Sequence, residues 1–359
     1  SDTLKVTQYP EPKWKLNNDK LFAKYDMTEL THSFECNIPF DVVFDEEVEW
    51  VKLKETKSED GQFKMVFELQ PNTGEFFNRT KLRLENEVLG LSFPLSLSQM
   101  YKTYDGHTVI WKKPTYNDPF ASVPDFPRIT FNFILIGDGF TKEEIESGVY
   151  DLYCQEAMEG MESLEPFKTY SERFGFILLH AESAESGCTD YNATYGGPKV
   201  VDTRFKCSYD EFGTGMNCDY TAIQEFVKTS IEGAGLDYIP TQDVVIVMAN
   251  GKRYGGVANL TKSGEGVAIC PVSEEPFPNN FVQILRHEAG GHAFGKLADE
   301  YSFGGPIDAS TASYLKSWQE AGMYLNVSMS STEFPKPWQE LKDRGKISDV
   351  YVGGFSCSG

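Results

Sequence analysis

His287 and His292 stand five residues apart, with Glu288 directly after the first and the pair Gly290-Gly291 between them. Gly295, Ala298, Asp299, Glu300 and Tyr301 follow. Imidazole nitrogens and carboxylate oxygens are the donors zinc takes in tetrahedral sites, and a hydrolytic site leaves one position for water. To share an ion, both histidines must point the same way from one helix. At about 100° per residue, a spacing of four returns to within about 40° of one face, whereas five overshoots to about 140°. A regular α-helix therefore cannot serve. One inserted residue taken up as a π-bulge restores the common face, and such bulges are frequent at functional sites. The spacing predicts a bulge or local unwinding centred on Gly290 and Gly291. In an ordinary helix each glycine costs roughly 1 kcal/mol relative to alanine, so helix stability did not select them.

On this reading His287 and His292 bind zinc, and Glu288 is the general base for a water whose pKa the metal lowers. No histidine follows His292, so a downstream third ligand is a carboxylate, Asp299 or Glu300. Tyr301 is a candidate oxyanion donor. The bare pattern arises by chance on the order of once per hundred chains this long, so its context carries the weight. Two of only five histidines fall here. His180 lies on an apolar strand and reads as a core or lining residue, while His32 and His107 belong to no cluster. Ser186 has no nucleophile-elbow surroundings. Gly137-Asp138-Gly139 lacks the lysine and hydroxyl of a phosphate loop and reads as a strand-to-helix turn.

The run His287 to Tyr301, H-E-A-G-G-H-A-F-G-K-L-A-D-E-Y, resembles the signature of the IgA-peptidase family of bacterial metallopeptidases, in a variant with one extra glycine. The histidine spacing resembles that of dipeptidyl peptidase III. Segments Phe133 to Thr141, Pro166-Phe167, Glu185 to Gly187, Val201 to Phe205 and Tyr254 to Gly256 extend the likeness over roughly residues 110 to 359. The resemblance implies a metzincin-like zinc endopeptidase, secreted or held at the cell surface, acting on host proteins or glycoproteins. Immunoglobulin A is not implied as the substrate. In metzincins a glycine three residues past the second histidine turns the chain, and the third ligand follows three residues later. Gly295 fits the first position, but the second is Ala298, so Asp299 is favoured as ligand and Glu300 as its outer support. Met323 and Met329 are the candidates for the methionine turn of that group. The short strand before the helix, which in metzincins pairs with extended substrate at the sheet edge, corresponds to Gly264 to Pro271.

Length makes two domains the natural expectation for 359 residues. Residues 1–27 read as an N-terminal extension and 28–100 as all-β, with short alternating runs such as Phe63 to Leu69 and turns at Asp60-Gly61 and Asn72 to Gly74. The run from Asn72 to Gln99 resembles the BACON domain, an immunoglobulin-like sandwich common on exported Bacteroidetes proteins, which makes carbohydrate a candidate ligand there. Residues 101–128 join it to a second domain, 129–359, where strands and helices precede the site helix. The expected architecture is thus an immunoglobulin-like all-β sandwich followed by an α+β zincin-like metallopeptidase domain. A net charge of −21 argues against nucleic acid and anionic membranes as partners. No apolar run reaches transmembrane length. Seven cysteines include no C-x-x-C pair, so a cysteine zinc site is disfavoured. Cys188, Cys207 and Cys218 are candidates for one disulfide, and Cys154 and Cys270 read as buried thiols. The competing function is an inactive zincin-like domain in a glycan- or protein-binding surface protein, which the intact Glu288 disfavours.

Overall fold

The computed structural model describes residues 11, 13–16, 19–74, 78–99, 109–119, 128–299, 301–302, 307–329, 335–346 and 355–356. Two compact units result: residues 1–106 with 146–152, and residues 107–145 with 153–359.

The first unit is strand-rich, as the alternation predicts. Its strands are β1 (Trp14–Lys15), β2 (Lys20–Ala23), β3 (Glu29–Cys36), β4 (Asp41–Phe44), β5 (Val51–Glu59), β6 (Gln62–Leu69), β7 (Asn78–Asn86) and β8 (Leu91–Gln99). They form two four-stranded sheets, ordered β1-β3-β6-β5 and β2-β8-β7-β4. Every second residue of β6 (Phe63, Met65, Phe67, Leu69) enters one shared core with Leu82, Leu84, Leu95 and Leu97 of the other sheet. Asp60 and Gly61 both take positive φ, 53° and 74°, and close the β5–β6 hairpin. The described part of the expected extension contributes β1 and β2 to these sheets.

The second unit is mixed α/β. Its elements are β9 (Val109–Lys112), β10 (Phe131–Asp138), α1 (Lys142–Glu146), α2 (Val149–Glu162), β11 (Phe174–Leu179), β12 (Thr189–Asp190), β13 (Ser208–Tyr209), β14 (Met216–Asn217), α3 (Tyr220–Gly233), β15 (Val244–Ala249), β16 (Val257–Leu260), β17 (Gly266–Pro271) and α4 (Phe281–Leu285). The main sheet runs β16-β17-β15-β10-β11-β9. Its four inner strands are parallel, while β16 and β9 run antiparallel at the edges. The inner strands β10, β11, β15 and β17 are apolar runs, which burial on both faces requires. On one face Ile134, Ile136, Ile177, Val245 and Val247 pack with Ile223, Val227 and Ile231 of α3. On the other, Phe133 lies 5.4 Å from Phe167 and 5.8 Å from Phe294, ring centre to ring centre. Helices therefore cover both faces. A capping box opens α1, with Thr141 N–H donating to Glu144 Oε2 (2.8 Å) and Glu144 N–H to Thr141 Oγ1 (3.4 Å).

A small sheet, β12-β13-β14, lies within the long connection from β11 to α3. A disulfide joins Cys207 to Cys218 across its last two strands, and Cys188, Cys154 and Cys270 are buried free thiols. No helix among the described residues is long and apolar enough to cross a membrane.

Candidate metal centre

Asn280 caps α4, its side chain accepting the Gln283 N–H at 3.1 Å. From Arg286 to Phe294 the helix continues as a π-helix. The predicted widening is therefore present, spread over nine residues rather than confined to one bulge. Five-residue closure continues at its end, where Gly295 N–H donates to Gly290 O at 3.0 Å. The two glycines are not forced by crowding. A methyl group on Gly290 would reach its nearest neighbour, Phe167, at 3.4 Å, and one on Gly291 would find only Arg286 O at 3.7 Å. Gly295 is the constrained one, because a methyl there would lie 2.7 Å from Gly291 O. Its backbone is right-handed (φ −69°), so the expected glycine turn is made differently: Lys296 takes the left-handed conformation, φ 54°.

The helix is seated by close approach. A Cβ at Gly266 of β17 would lie 2.6 Å from Ala293 O, so strand and helix meet backbone to backbone. Arg286 ties the other side to the end of α2, donating from Nε to Gly160 O (3.2 Å) and from Nη2 to Ser163 Oγ (2.7 Å). The substrate edge expected at Gly264 to Pro271 is corrected: β17 lies inside the sheet, fully buried, and β16 is the edge strand beside it. A buried apolar run reads alike whether its neighbour is one strand or two.

Three side chains predicted as ligands converge. His287 Nε2 and His292 Nε2 approach to 3.1 Å, and Asp299 Oδ1 lies 3.3 Å and 3.2 Å from them. A tetrahedral site with arms of about 2.0–2.1 Å has edges of about 3.3–3.4 Å, so this donor set fits zinc closely. The left-handed turn at Lys296 brings Leu297 O within 2.7 Å of His292 Nδ1. A carbonyl only accepts, so Nδ1 carries the hydrogen and Nε2 keeps its lone pair for the cluster. The His287 side chain is 49% exposed and that of His292 15%, so solvent reaches the cluster from the His287 side.

Asp299 is held from below. Asn326 accepts the Ala298 N–H and donates to Ala298 O, both at 2.8 Å, while Tyr324 N–H donates to Lys296 O at 2.8 Å. This turn follows α5 (Ala309–Glu320) and includes the buried Met323, whereas Met329 is exposed. Glu300 lies outside the described residues. Tyr301 opens a two-residue strand paired with Phe355–Ser356, and its side chain lies outside the described part.

Charge follows the geometry. Burial alone would raise the Asp299 carboxyl, but the two imidazoles outweigh it and hold it well below the usual range. Burial depresses His292, yet Asp299 and the Leu297 carbonyl prevail and raise it. Glu288 is pushed up by burial, with the Asp299 charge adding and both imidazoles opposing. Two tyrosines missed in the sequence lie in the field of Glu288. Tyr254 is raised by burial and by the charges of Glu288, Asp299 and Glu275. Tyr220, hydrogen-bonded to Asn259 of β16, is pushed up to about 12 by burial, the Glu288 charge adding. The Tyr254-Gly255-Gly256 run was the available signal for the first; nothing local marked Tyr220.

No curated protein matches the chain. Among solved structures, two endo-fucoidan hydrolases of glycoside hydrolase family 107 align at 10% identity and TM-score 0.19, covering 25% and 35% of this chain. The chain spans only 13% and 21% of their lengths. A family 123 glycoside hydrolase from Clostridium perfringens aligns over 95% of this chain and 58% of its own, at 10% identity and TM-score 0.16. Likeness at this level carries neither fold nor function. The family pattern described as IgA Peptidase M64 matches residues 121–346, more than half of the sequence and all of the metal cluster. It leaves the two-sheet N-terminal unit unassigned, and the chain belongs to the IgA peptidase M64 family.

Proposed function

We infer that the chain is a zinc endopeptidase with a zincin-like catalytic unit, exported to the cell surface or beyond, that cleaves proteins or glycoproteins. The observation that carries this reading is the convergence of His287, His292 and Asp299 on one point beside Glu288. Bound there, zinc would supply a Lewis acid and a water acidic enough to attack at neutral pH. Glu288 takes a proton from that water at its carboxylate and delivers it to the leaving nitrogen. Burial suits it to both tasks, since a raised carboxyl pKa lets it hold the proton between the two transfers. Asp299, held anionic, completes the donor set, with Glu300 as its expected outer support.

Tyr254 is a further candidate oxyanion donor, since its phenol lies in the field of both Glu288 and Asp299. Among the described residues the edge strand β16 has no partner on its outer side, and it begins beside Gly256, so an extended peptide laid along it would pass Glu288. The Cys207–Cys218 disulfide supports an oxidising compartment.

The test is direct. Zinc-loaded wild type and Glu288→Gln are incubated with casein and mucin, and new peptide termini are mapped by mass spectrometry. Termini made by the wild type and absent with Glu288→Gln are expected. A folded wild type with bound zinc that makes no new termini would leave the inactive surface-protein reading in possession.

A further inference from the structure

The wall against which Glu288 rests comes from elsewhere in the chain. A methyl group on Gly256 would sit 2.9 Å from Glu288 Oε1 and 3.0 Å from its Cγ. Bare backbone therefore borders the carboxylate where any other residue would place a side chain. The Gly256 N–H turns away from the site and donates to Thr214 O at 2.9 Å.

One arginine ties this backbone down. Arg253 is buried and reaches Asp190 with both arms of its fork, Nε to Oδ2 at 2.6 Å and Nη2 to Oδ1 at 3.3 Å. Its remaining nitrogen, Nη1, donates to Gly213 O (3.2 Å) and to Tyr254 O (3.3 Å). The guanidinium lies 3.8 Å from the ring centre of Tyr209 and 4.7 Å from that of Tyr195. Tyr209 Oη in turn donates to Arg253 O at 2.8 Å. Glycines let the chain wrap this ring: a Cβ at Gly251 would run into Tyr209 Oη, and one at Gly255 would lie 2.9 Å from Cε1. A forked, stacked guanidinium fixes direction as well as charge, which a lysine cannot reproduce. Buried ion pairs contribute little net stability against a well-packed apolar replacement, so geometric definition is the better account of this one.

We propose that Arg253 is a positioning residue for Glu288. By joining Asp190, Gly213 and Tyr254 it holds Gly256 against the carboxylate and restricts the directions from which Glu288 exchanges a proton. The proposal rests on the reading of Glu288 as the base.

The experiment compares the full chain, zinc-loaded, as wild type, Arg253→Met, Arg253→Lys and Tyr209→Phe. The probe is a quenched fluorogenic peptide selected from a library for cleavage by the wild type. Displacements of about 1 Å in catalytic geometry cost up to about a hundredfold, so Arg253→Met should lose at least about tenfold in kcat with KM within about twofold. Zinc stoichiometry should not change, Arg253→Lys should recover part of the loss, and a crystal structure of Arg253→Met should show Gly256 withdrawn from Glu288. Tyr209→Phe, which keeps the ring and loses one hydrogen bond, should fall by roughly threefold in kcat. A folded Arg253→Met with wild-type kcat, or with Gly256 still against Glu288, overturns the proposal. If that variant does not fold, wild-type kcat in both Arg253→Lys and Tyr209→Phe overturns it. A wild type that cleaves nothing in the library, or a Glu288→Gln variant as active as the wild type, overturns the reading of Glu288 and takes the proposal with it.

Discussion

His292 donates from Nδ1 to the carbonyl oxygen of Leu297, 2.7 Å away and five residues further along the chain. The segment that leads to Asp299 thus also sets the tautomer of the second histidine. Asp299 and the Leu297 carbonyl are coupled through one turn, the left-handed residue Lys296.

Zinc should therefore bind at about one ion per chain, and Asp299→Ala should weaken it by more than the roughly 10–100-fold typical of losing an outer-shell group. Glu288→Gln should keep the ion and lose turnover. Chelator competition and elemental analysis measure the first, and peptide hydrolysis the second. Wild-type zinc affinity in Asp299→Ala would remove it from the donor set.

Asn326 offers a test of the support beneath Asp299. Its amide satisfies both backbone groups of Ala298, so Asn326→Ala should lower zinc affinity by roughly tenfold without touching a ligand. Asn326→Asp still accepts the N–H but cannot donate to the carbonyl, and should fall between. Equal affinities in all three proteins would show that the turn holds without it.

The glycines of the π-helix divide into two kinds. Gly291→Ala should be tolerated and add up to about 1 kcal/mol of stability, because there is room for the methyl and alanine favours helix. Gly295→Ala should destabilise, having Gly291 O in its path. Deleting Gly291 should abolish activity despite restoring a four-residue spacing, since everything beyond it rotates by about 100°. Thermal melts of the two substitutions, and zinc titration with peptide hydrolysis of the deletion, check these outcomes.

Lys296 gives a pH dependence with a definite sign. Burial lowers its ammonium to about 8 in the folded chain, against about 10.4 when unfolded. Between these values the unfolded chain binds a proton that the folded chain lacks, so this residue makes stability rise with pH across that window. Urea unfolding of the wild type at pH 7.5 and pH 10, set against Lys296→Met, should show a rise that the variant lacks. Parallel curves for the two proteins would refute the assignment.

Much of the centre was legible because metal chemistry demands particular residue types close together in the chain. His287, Glu288, His292 and Asp299 span one helix and one turn, and the five-residue spacing alone required a widened helix. What stayed hidden was assembled from a distance. Arg253 meets Asp190 across 63 residues, and Asn326 meets Ala298 across 28, with no local pattern to announce either pair. The left-handed turn was assigned to Gly295 because glycine is the usual occupant, whereas here crowding selects the glycine and its neighbour bends.

The Cys207–Cys218 bridge encloses the segment that supplies Tyr209, Gly213 and Thr214, three of the points to which the Arg253–Gly256 loop is fastened. Cutting that bridge should free the hairpin on which the loop leans, while His287, His292 and Asp299, which lie outside the bridged segment, should keep their places. Mild reduction should therefore lower turnover on a cleaved peptide while bound zinc stays constant.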